Sequence, residues 1–444
     1  MSLPRTGPFC SMRPIRSIIR QLGWLGLTMF CLAGIAMSAE EAIYDEAKVP
    51  PYELPDVLRM VNGQSVTKAE QWPARRAELM ELFATQVYGR TPTEKLPVTY
   101  RVLSEKTDAL GGAATRREVE FKFQRGDKTL TAVCLLYLPN RATGPVPVVV
   151  GLNFYGNHTT THEPDVLITS SWVANDEKAG ITDHRATDRN RGIQAGQWPF
   201  AQVIDRGIAV ATMYYGDIDP DFDDNFQNGI HALFNPSGDP VAKDAWGSIG
   251  AWAWGLSRIA DYLIAEVPQI DPQRMAVMGH SRLGKTALWA GAQDPRFTVV
   301  ISNNSGCGGA ALSKRIFGES VGRINRSFPH WFCDNFQQYN DHEERLPVDQ
   351  HELLALIAPR AVLVASAEDD RWADPRGELL GAYHASPAFK LLGKTGLDSD
   401  QLPPLNKLLD TTVGYRIRPG AHDVLPEDWQ AYCDFAEANG WGRP

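Results

Sequence analysis

An α/β architecture, a three-layer αβα sandwich around a mostly parallel, twisted central sheet with helices on both faces, is predicted by three features of the chain. Short continuous apolar runs of the kind found in strands buried on both faces recur along it, beginning with Pro145-Val-Pro-Val-Val-Val-Gly-Leu152. Helix-length amphipathic patterns alternate with these runs, which is the signature of parallel strands joined by crossover helices. Upstream of them, two runs show strict in-out alternation around an Arg125-Gly-Asp-Lys128 turn, so the sheet begins with an antiparallel hairpin.

Taken in order, residues 40–72 are Pro-rich and polar and read as a lead-in that wraps the surface. A helical pattern follows at 73–88, then the hairpin strands at 116–124 and 129–138. From the strand at 145–152 onward, buried strands and helices alternate: strand 207–214, helix 246–266, strand 275–278, helix 285–292, and strands 298–302, 361–365 and 413–418. There is no internal repeat and no low-complexity linker, so residues 40–444 read as one domain with loop insertions near 154–196 and 313–347. Such insertions at strand ends are where binding sites are built.

With 444 residues, 43% of them hydrophobic, the chain can bury a large core. A formal net charge of -9, with no basic block outside the N-terminal leader, argues against nucleic acid as a partner. In that leader Arg5, Arg13, Arg16 and Arg20 precede an apolar stretch at 22–37 that ends in small residues at Ser38-Ala39. This is the layout of a signal peptide over 1–39 and implies a secreted or periplasmic protein. No other stretch is long and apolar enough for a membrane span, so stable membrane insertion is not expected.

Two of six cysteines, Cys10 and Cys31, fall in the leader. Of the others, Cys307 with Cys333 is the pair to test for a disulfide in an exported protein, Cys134 reads as a buried thiol in a strand, and none, Cys433 included, has metal-ligand spacing. His158 and His162 share i, i+4 spacing, and His184 lies in the same insertion. The Thr run between the first two and the following Pro164 favour a loop over a metal-binding helix.

The chemistry centres on Arg274-Met-Ala-Val-Met-Gly-His-Ser-Arg-Leu-Gly-Lys285, a strand delivering Ser281 to a sharp strand-to-helix turn. The glycine that commonly follows such a serine by two positions is displaced: Leu283 stands there and Gly284 comes one later. A serine hydroxyl needs a base, and the base needs an acid. After the strand at 361–365 come Glu368, Asp369, Asp370 and Asp374; after the strand at 413–418 comes Pro419-Gly-Ala-His422. The order Ser281, Asp370, His422, each after a strand, is that of the α/β-hydrolase fold.

Gly279-His-Ser-Arg-Leu-Gly-Lys285 resembles the Gly-Cys-Ser-Arg-x-Gly-Lys signature of the glucuronoyl esterases, carbohydrate esterase family 15, in its bacterial form. The resemblance extends to Asn303-Asn-Ser-Gly-Cys-Gly-Gly309, Trp372-Ala-Asp-Pro375 and Gly420-Ala-His-Asp423. It implies Ser281 as nucleophile and His422 as general base. It further implies Arg282 as an oxyanion support, and Lys285, Glu319 and Trp372 as contacts to a glucuronate ring. No metal or organic cofactor is implied.

The sequence departs from the family at the acid. Many members carry a Glu where this chain has Asn304, and an amide cannot stabilise an imidazolium as a carboxylate does. The acid is therefore expected in the later loop, as in some bacterial members. Asp370 is chosen because it sits directly after the strand, Asp374 before Pro375 reads as a helix cap, and Asp369 stays open.

The expected reaction is hydrolysis of (4-O-methyl-)glucuronic acid esters, as in links between lignin and glucuronoxylan, through an acyl-enzyme, by a protein expected to be a monomer. Two rival readings remain: an acetyl or pectin-type carbohydrate esterase, and a non-catalytic secreted carbohydrate-binding protein. Loss of activity in Lys285→Ala on glucuronate esters alone would discriminate against the first, and loss of all activity in Ser281→Ala against the second.

Overall fold

Which way each strand faces follows from its period-2 pattern, and in the central sheet both faces are apolar. The computed structural model describes residues 41–235 and 237–442, so the signal-peptide reading at 1–39 lies outside the described residues. From Ala42 onward the chain forms one compact unit. Its strands are β1 (Val98–Asp108), β2 (Ala114–Arg125), β3 (Lys128–Pro139), β4 (Val146–Asn153), β5 (Ala209–Tyr214), β6 (Ile270–His280), β7 (Val299–Asn303), β8 (Ala361–Ala367) and β9 (Val413–Arg418).

They form one sheet in the order β1-β2-β3-β5-β4-β6-β7-β8-β9. The β2–β3 hairpin and the β1–β2 and β3–β5 pairs are antiparallel; from β5 and β4 through to β9 every pair is parallel. Alternate residues feed two cores. On β4, Val148, Val150 and Leu152 join Leu79, Trp252, Trp289, Leu353 and Phe389 from helices on one face. Val149 joins Phe200, Trp429, Tyr432 and Phe435 on the other. The same division splits β6 (Val277 against Ala276) and β8 (Val362 and Val364 against Leu363). This is the three-layer αβα arrangement that the apolar runs imply.

The principal helices span Trp72–Gln86, Ser248–Glu266, Arg282–Gln293, Pro375–Leu391 and Pro426–Ala436. Proline opens the first and the last two at a position where its missing N–H is not needed. Residues 154–196 carry only short turns, at Asn157–Thr160 and Asp188–Asn190, whereas 313–347 includes the short helix Val321–Ser327. Among the described residues no helix is long and apolar enough to cross a membrane.

Cys307 and Cys333 are free, as are Cys134 and Cys433, and all four are buried. The Cys333 thiol faces the Thr85 carbonyl instead, and burial pushes it up to about 11. These thiols pack as small apolar groups.

Candidate active site

The site is assembled at the carboxyl ends of β6, β7, β8 and β9, the edge where parallel sheets hold their ligands. Ser281 stands between β6 and the helix Arg282–Gln293 with φ 58° and ψ -128°, a left-handed conformation that a non-glycine residue adopts only under constraint. The constraint is visible on both sides. Its amide donates to Asn303 O at 2.9 Å. A Cβ on Gly279 would lie 1.9 Å from Leu283 O, and one on Gly284 would lie 3.0 Å from Ser305 Cβ. The displaced glycine thus still serves the turn, by letting the helix approach the end of β7.

His422 follows β9, and its Nδ1 lies 2.6 Å from Asp370 Oδ2. Asp370 is buried whereas Asp369 is exposed. Burial pushes the Asp370 carboxyl up, but the bond to His422, its charge and the Asn304 amide outweigh this and hold it below the usual range. Asn304 Nδ2 donates to the same Oδ2 at 2.7 Å. Asp374 is a cap: with φ 54° it accepts from the Gly377 amide at 2.9 Å and from Arg315 Nε at 2.9 Å.

Arg282 opens its helix, where backbone amides are free to face an anion. Its guanidinium is ion-paired with Asp221 and packed on Trp331, Phe328 and Phe154, at 4.7, 5.4 and 5.8 Å from the ring centroids. Asp221 also accepts from Tyr215 Oη at 2.9 Å, Trp331 Nε1 at 2.7 Å and His330 Nε2 at 2.8 Å. Burial disfavours the charge of Asp221, yet His330 and Arg282 keep its carboxyl below the usual range. The guanidinium is clamped, with about a quarter of the side chain still exposed (26%).

One turn on, Lys285 is buried; its Nζ donates to Ser305 O at 2.6 Å and lies 3.8 Å from Glu319 Oε2. Burial raises the Glu319 carboxyl, with Lys285 and the Trp372 indole acting against that. The Glu319 amide donates to Trp372 O at 3.0 Å. Trp372 itself is 44% exposed, so it is not core packing. The structure thus gathers Ser281, Arg282 and Lys285 on one turn, Asp370 with His422, and Glu319 with Trp372.

A family model described as "Glucuronyl esterase, fungi" matches residues 191–393. A carbohydrate esterase from an unknown prokaryotic organism is 50% identical over 397 residues, covering 89% of this chain and 91% of its own length. The chain belongs to carbohydrate esterase family 15. Among solved structures, a promiscuous family 15 esterase from a marine bacterial metagenome is similar at TM-score 0.84 and 49% identity, over 90% of this chain and 100% of that one. A glucuronoyl esterase from Solibacter usitatus is similar at TM-score 0.83 and 43% identity, over 89% and 100%. The 4-O-methyl-glucuronoyl methylesterase of Podospora anserina is 26% identical over 72% of this chain and 56% of its own length.

Around the motifs of this family 15 chain lie residues that sequence reasoning missed. Asn303 Nδ2 donates both to His280 Nδ1 (2.9 Å) and to Asp423 O (3.0 Å), tying the end of β7 to the His422 loop. The His280 ring lies against that of His422, tilted by 42° with centroids 4.4 Å apart; burial and the neighbouring His422 hold it well below the usual histidine range, so it accepts as a neutral ring. Arg418, fully buried, donates to Pro419 O, Ala421 O and Asp423 O and is itself anchored by Asp428 at 2.9 Å. Arg418 ends a strand, and nothing in its spacing distinguishes it from a surface charge.

The paired histidines of the 154–196 insertion make no metal site. His158 is buried on a short turn, His162 is exposed, and His184 stacks on Trp172 at 4.9 Å. Among the described residues there is no group of three or more His, Cys, Asp or Glu suited to a metal ion.

Proposed function

We propose that this chain is a serine esterase that hydrolyses esters of glucuronic or 4-O-methylglucuronic acid, including those joining lignin to glucuronoxylan, after export to the periplasm or the medium. The observation that carries the reading is the pairing, around one turn, of a Ser281 nucleophile elbow with a buried Lys285–Glu319 pair and an exposed Trp372. An aromatic plate beside fixed charges suits a pyranose, which has an apolar face and a polar rim. Family membership and the Podospora anserina relative, named a 4-O-methyl-glucuronoyl methylesterase, support it.

In this mechanism Ser281 Oγ attacks the ester carbonyl as His422 Nε2 takes its proton. Asp370 stabilises the imidazolium and fixes its orientation through Nδ1. Arg282, held by Asp221, presents fixed donors where the oxyanion develops, together with backbone amides at the helix start. His422 then protonates the departing alcohol, and water activated by the same imidazole releases the acyl-enzyme.

The test is hydrolysis of benzyl glucuronate, compared with an aryl acetate, by wild type and Ser281→Ala. Turnover of the glucuronate ester that disappears in Ser281→Ala is the expected result; turnover of the acetate alone would refute the glucuronate assignment. A second, wider reading, acceptance of several ester types, is favoured by one observation: the similar marine esterase is described as promiscuous.

A further inference from the structure

The turn that follows β7 carries two site contacts on consecutive residues. Asn304 donates to Asp370, and Ser305 O accepts from Lys285. The turn is sharp: Asn304 has φ 48° and Gly306 φ 58°, both in the left-handed region that asparagine and glycine adopt most readily. It is held by Glu378, fully buried on the helix Pro375–Leu391. Its Oε1 accepts from Ser305 N at 2.7 Å, Gly306 N at 3.0 Å and Ser305 Oγ at 3.1 Å, and its Oε2 from Ser366 Oγ on β8 at 2.6 Å.

We propose that Glu378 is the positioning residue of this site. Through three hydrogen bonds accepted from the Asn304–Ser305–Gly306 turn and one from Ser366 it fixes that turn to β8, so that one buried carboxylate aligns both the acid that orients His422 and the lysine that meets the sugar. The lysine half of this statement rests on the glucuronate reading; the Asp370 half does not.

Two observations support the assignment. Burial raises the Glu378 carboxyl to about 7, and Asp370 adds to that rise, against the bonds from Ser366, Gly306 and Ser305. An acid kept where burial disfavours its charge, when the core beside it is apolar, is doing something that a leucine would not. Its reach matters as well as its charge: the donors lie at two neighbouring strand ends, and its two oxygens meet one each.

The experiment uses two conservative variants that separate reach from charge. Glu378→Gln keeps the length and an acceptor oxygen for the turn, and its amide can donate to Ser366 Oγ. Glu378→Asp keeps the charge but withdraws the carboxylate by about 1.5 Å, one C–C bond. With full-length folded enzyme, kcat and KM are measured on benzyl glucuronate and on an aryl acetate, with melting curves alongside.

Glu378→Asp is expected to lower kcat about tenfold on both esters and to raise KM about tenfold on the glucuronate ester alone. Glu378→Gln is expected to recover most of both. Ser366→Ala, which frees one carboxylate oxygen, is expected to give the same split at smaller amplitude and stands in if Glu378→Asp does not fold. A lowered melting temperature with wild-type kcat and KM, or a Gln variant as impaired as the Asp variant, overturns the proposal. If wild type does not cleave the glucuronate ester, the function reading fails by itself, and kcat on the acetate still decides whether Glu378 positions the acid.

Discussion

Replacing Asp370 by Asn tests the acid most directly, because the change keeps shape and removes charge. In wild type one oxygen, Oδ2, accepts from both His422 Nδ1 (2.6 Å) and Asn304 Nδ2 (2.7 Å). Two donors converging on one atom force a substituted amide to turn its oxygen toward them and its NH2 away. The imidazole therefore keeps its tautomer, and what is lost is the charge opposite the imidazolium. Two unit charges about 4 Å apart interact by about 4 kcal/mol at an effective dielectric of about 20. Because the His422 side chain is 42% exposed, part of this is screened. A loss of about 3 kcal/mol corresponds to a roughly hundredfold fall in kcat. This is smaller than the loss of about 10⁴ seen where the same change also imposes the wrong tautomer. The assay is initial-rate hydrolysis of benzyl glucuronate at saturating substrate, with melting curves to show that the variant is folded. A folded Asp370→Asn enzyme within about threefold of wild type, or an equal fall in Asp369→Asn, would refute the reasoning.

Lys285→Ala should raise KM for a glucuronate ester by about ten- to a hundredfold, the worth of one charged hydrogen bond, while an aryl acetate shows little change; equal losses on both would point to packing. Arg282→Lys keeps the charge but not the planar group stacked on Trp331 and paired with Asp221, so kcat should fall by about 10² or more on every ester, and an unchanged kcat would remove Arg282 from oxyanion support. Asp374→Asn should cost about 3 kcal/mol of stability in a melting curve, because asparagine still caps the helix but leaves buried Arg315 without one of its carboxylate partners, with kcat unaltered. His158 is buried, and burial, with Arg191 nearby, lowers its pKa from 6.5 to about 4. The unfolded chain therefore binds the extra proton first, and stability is lost as pH falls from about 6.5 toward 4. His158→Leu should flatten that part of a melting-temperature-against-pH curve, and an unchanged curve would contradict it.

Much of the candidate site's layout was legible because its motifs are local in sequence. A strand-turn-helix around Ser281, an acidic loop after one strand and a Pro-Gly-Ala-His after the last need only periodicity and chain order. The β4 to β8 strands were legible because burial on both faces leaves continuous apolar runs, and β9 from the alternation of Val413, Tyr415 and Ile417. β1 was not: as the outermost strand it is mostly exposed, and Val98–Asp108 shows charges where a core face would show apolar residues. Of the helix Pro375–Leu391 only the start was legible, from Asp374 before Pro375; Pro387 in its interior and glycines where it packs closely hid its length. The supporting residues were illegible for a different reason. Asp221, Asn303 and Glu378 reach partners tens to more than a hundred residues away, and Arg418, whose partners lie within ten residues, is an ordinary strand charge until its loop folds over it.

The same geometry explains how Asp370, the proposed acid, can sit where it does. β7 and β8 are parallel neighbours, with Asn303 opposite Ala365 and the Asn304 amide donating to Ala365 O at 2.8 Å. Adjacent strand ends lie only about 4.8 Å apart, so a carboxylate leaving either end can reach one imidazole held over both. Two carboxylates there would oppose each other, since like charges in contact raise the pKa of one. With Asn304 at the end of β7 the conflict is absent: its amide donates to Asp370, and the Asp370 carboxyl is held below its usual range by its hydrogen bonds despite burial. Moving the acid to the end of β8 therefore asks for a donor, rather than a second acid, at the end of β7. The departure at 304 and the acid at 370 are two halves of one arrangement.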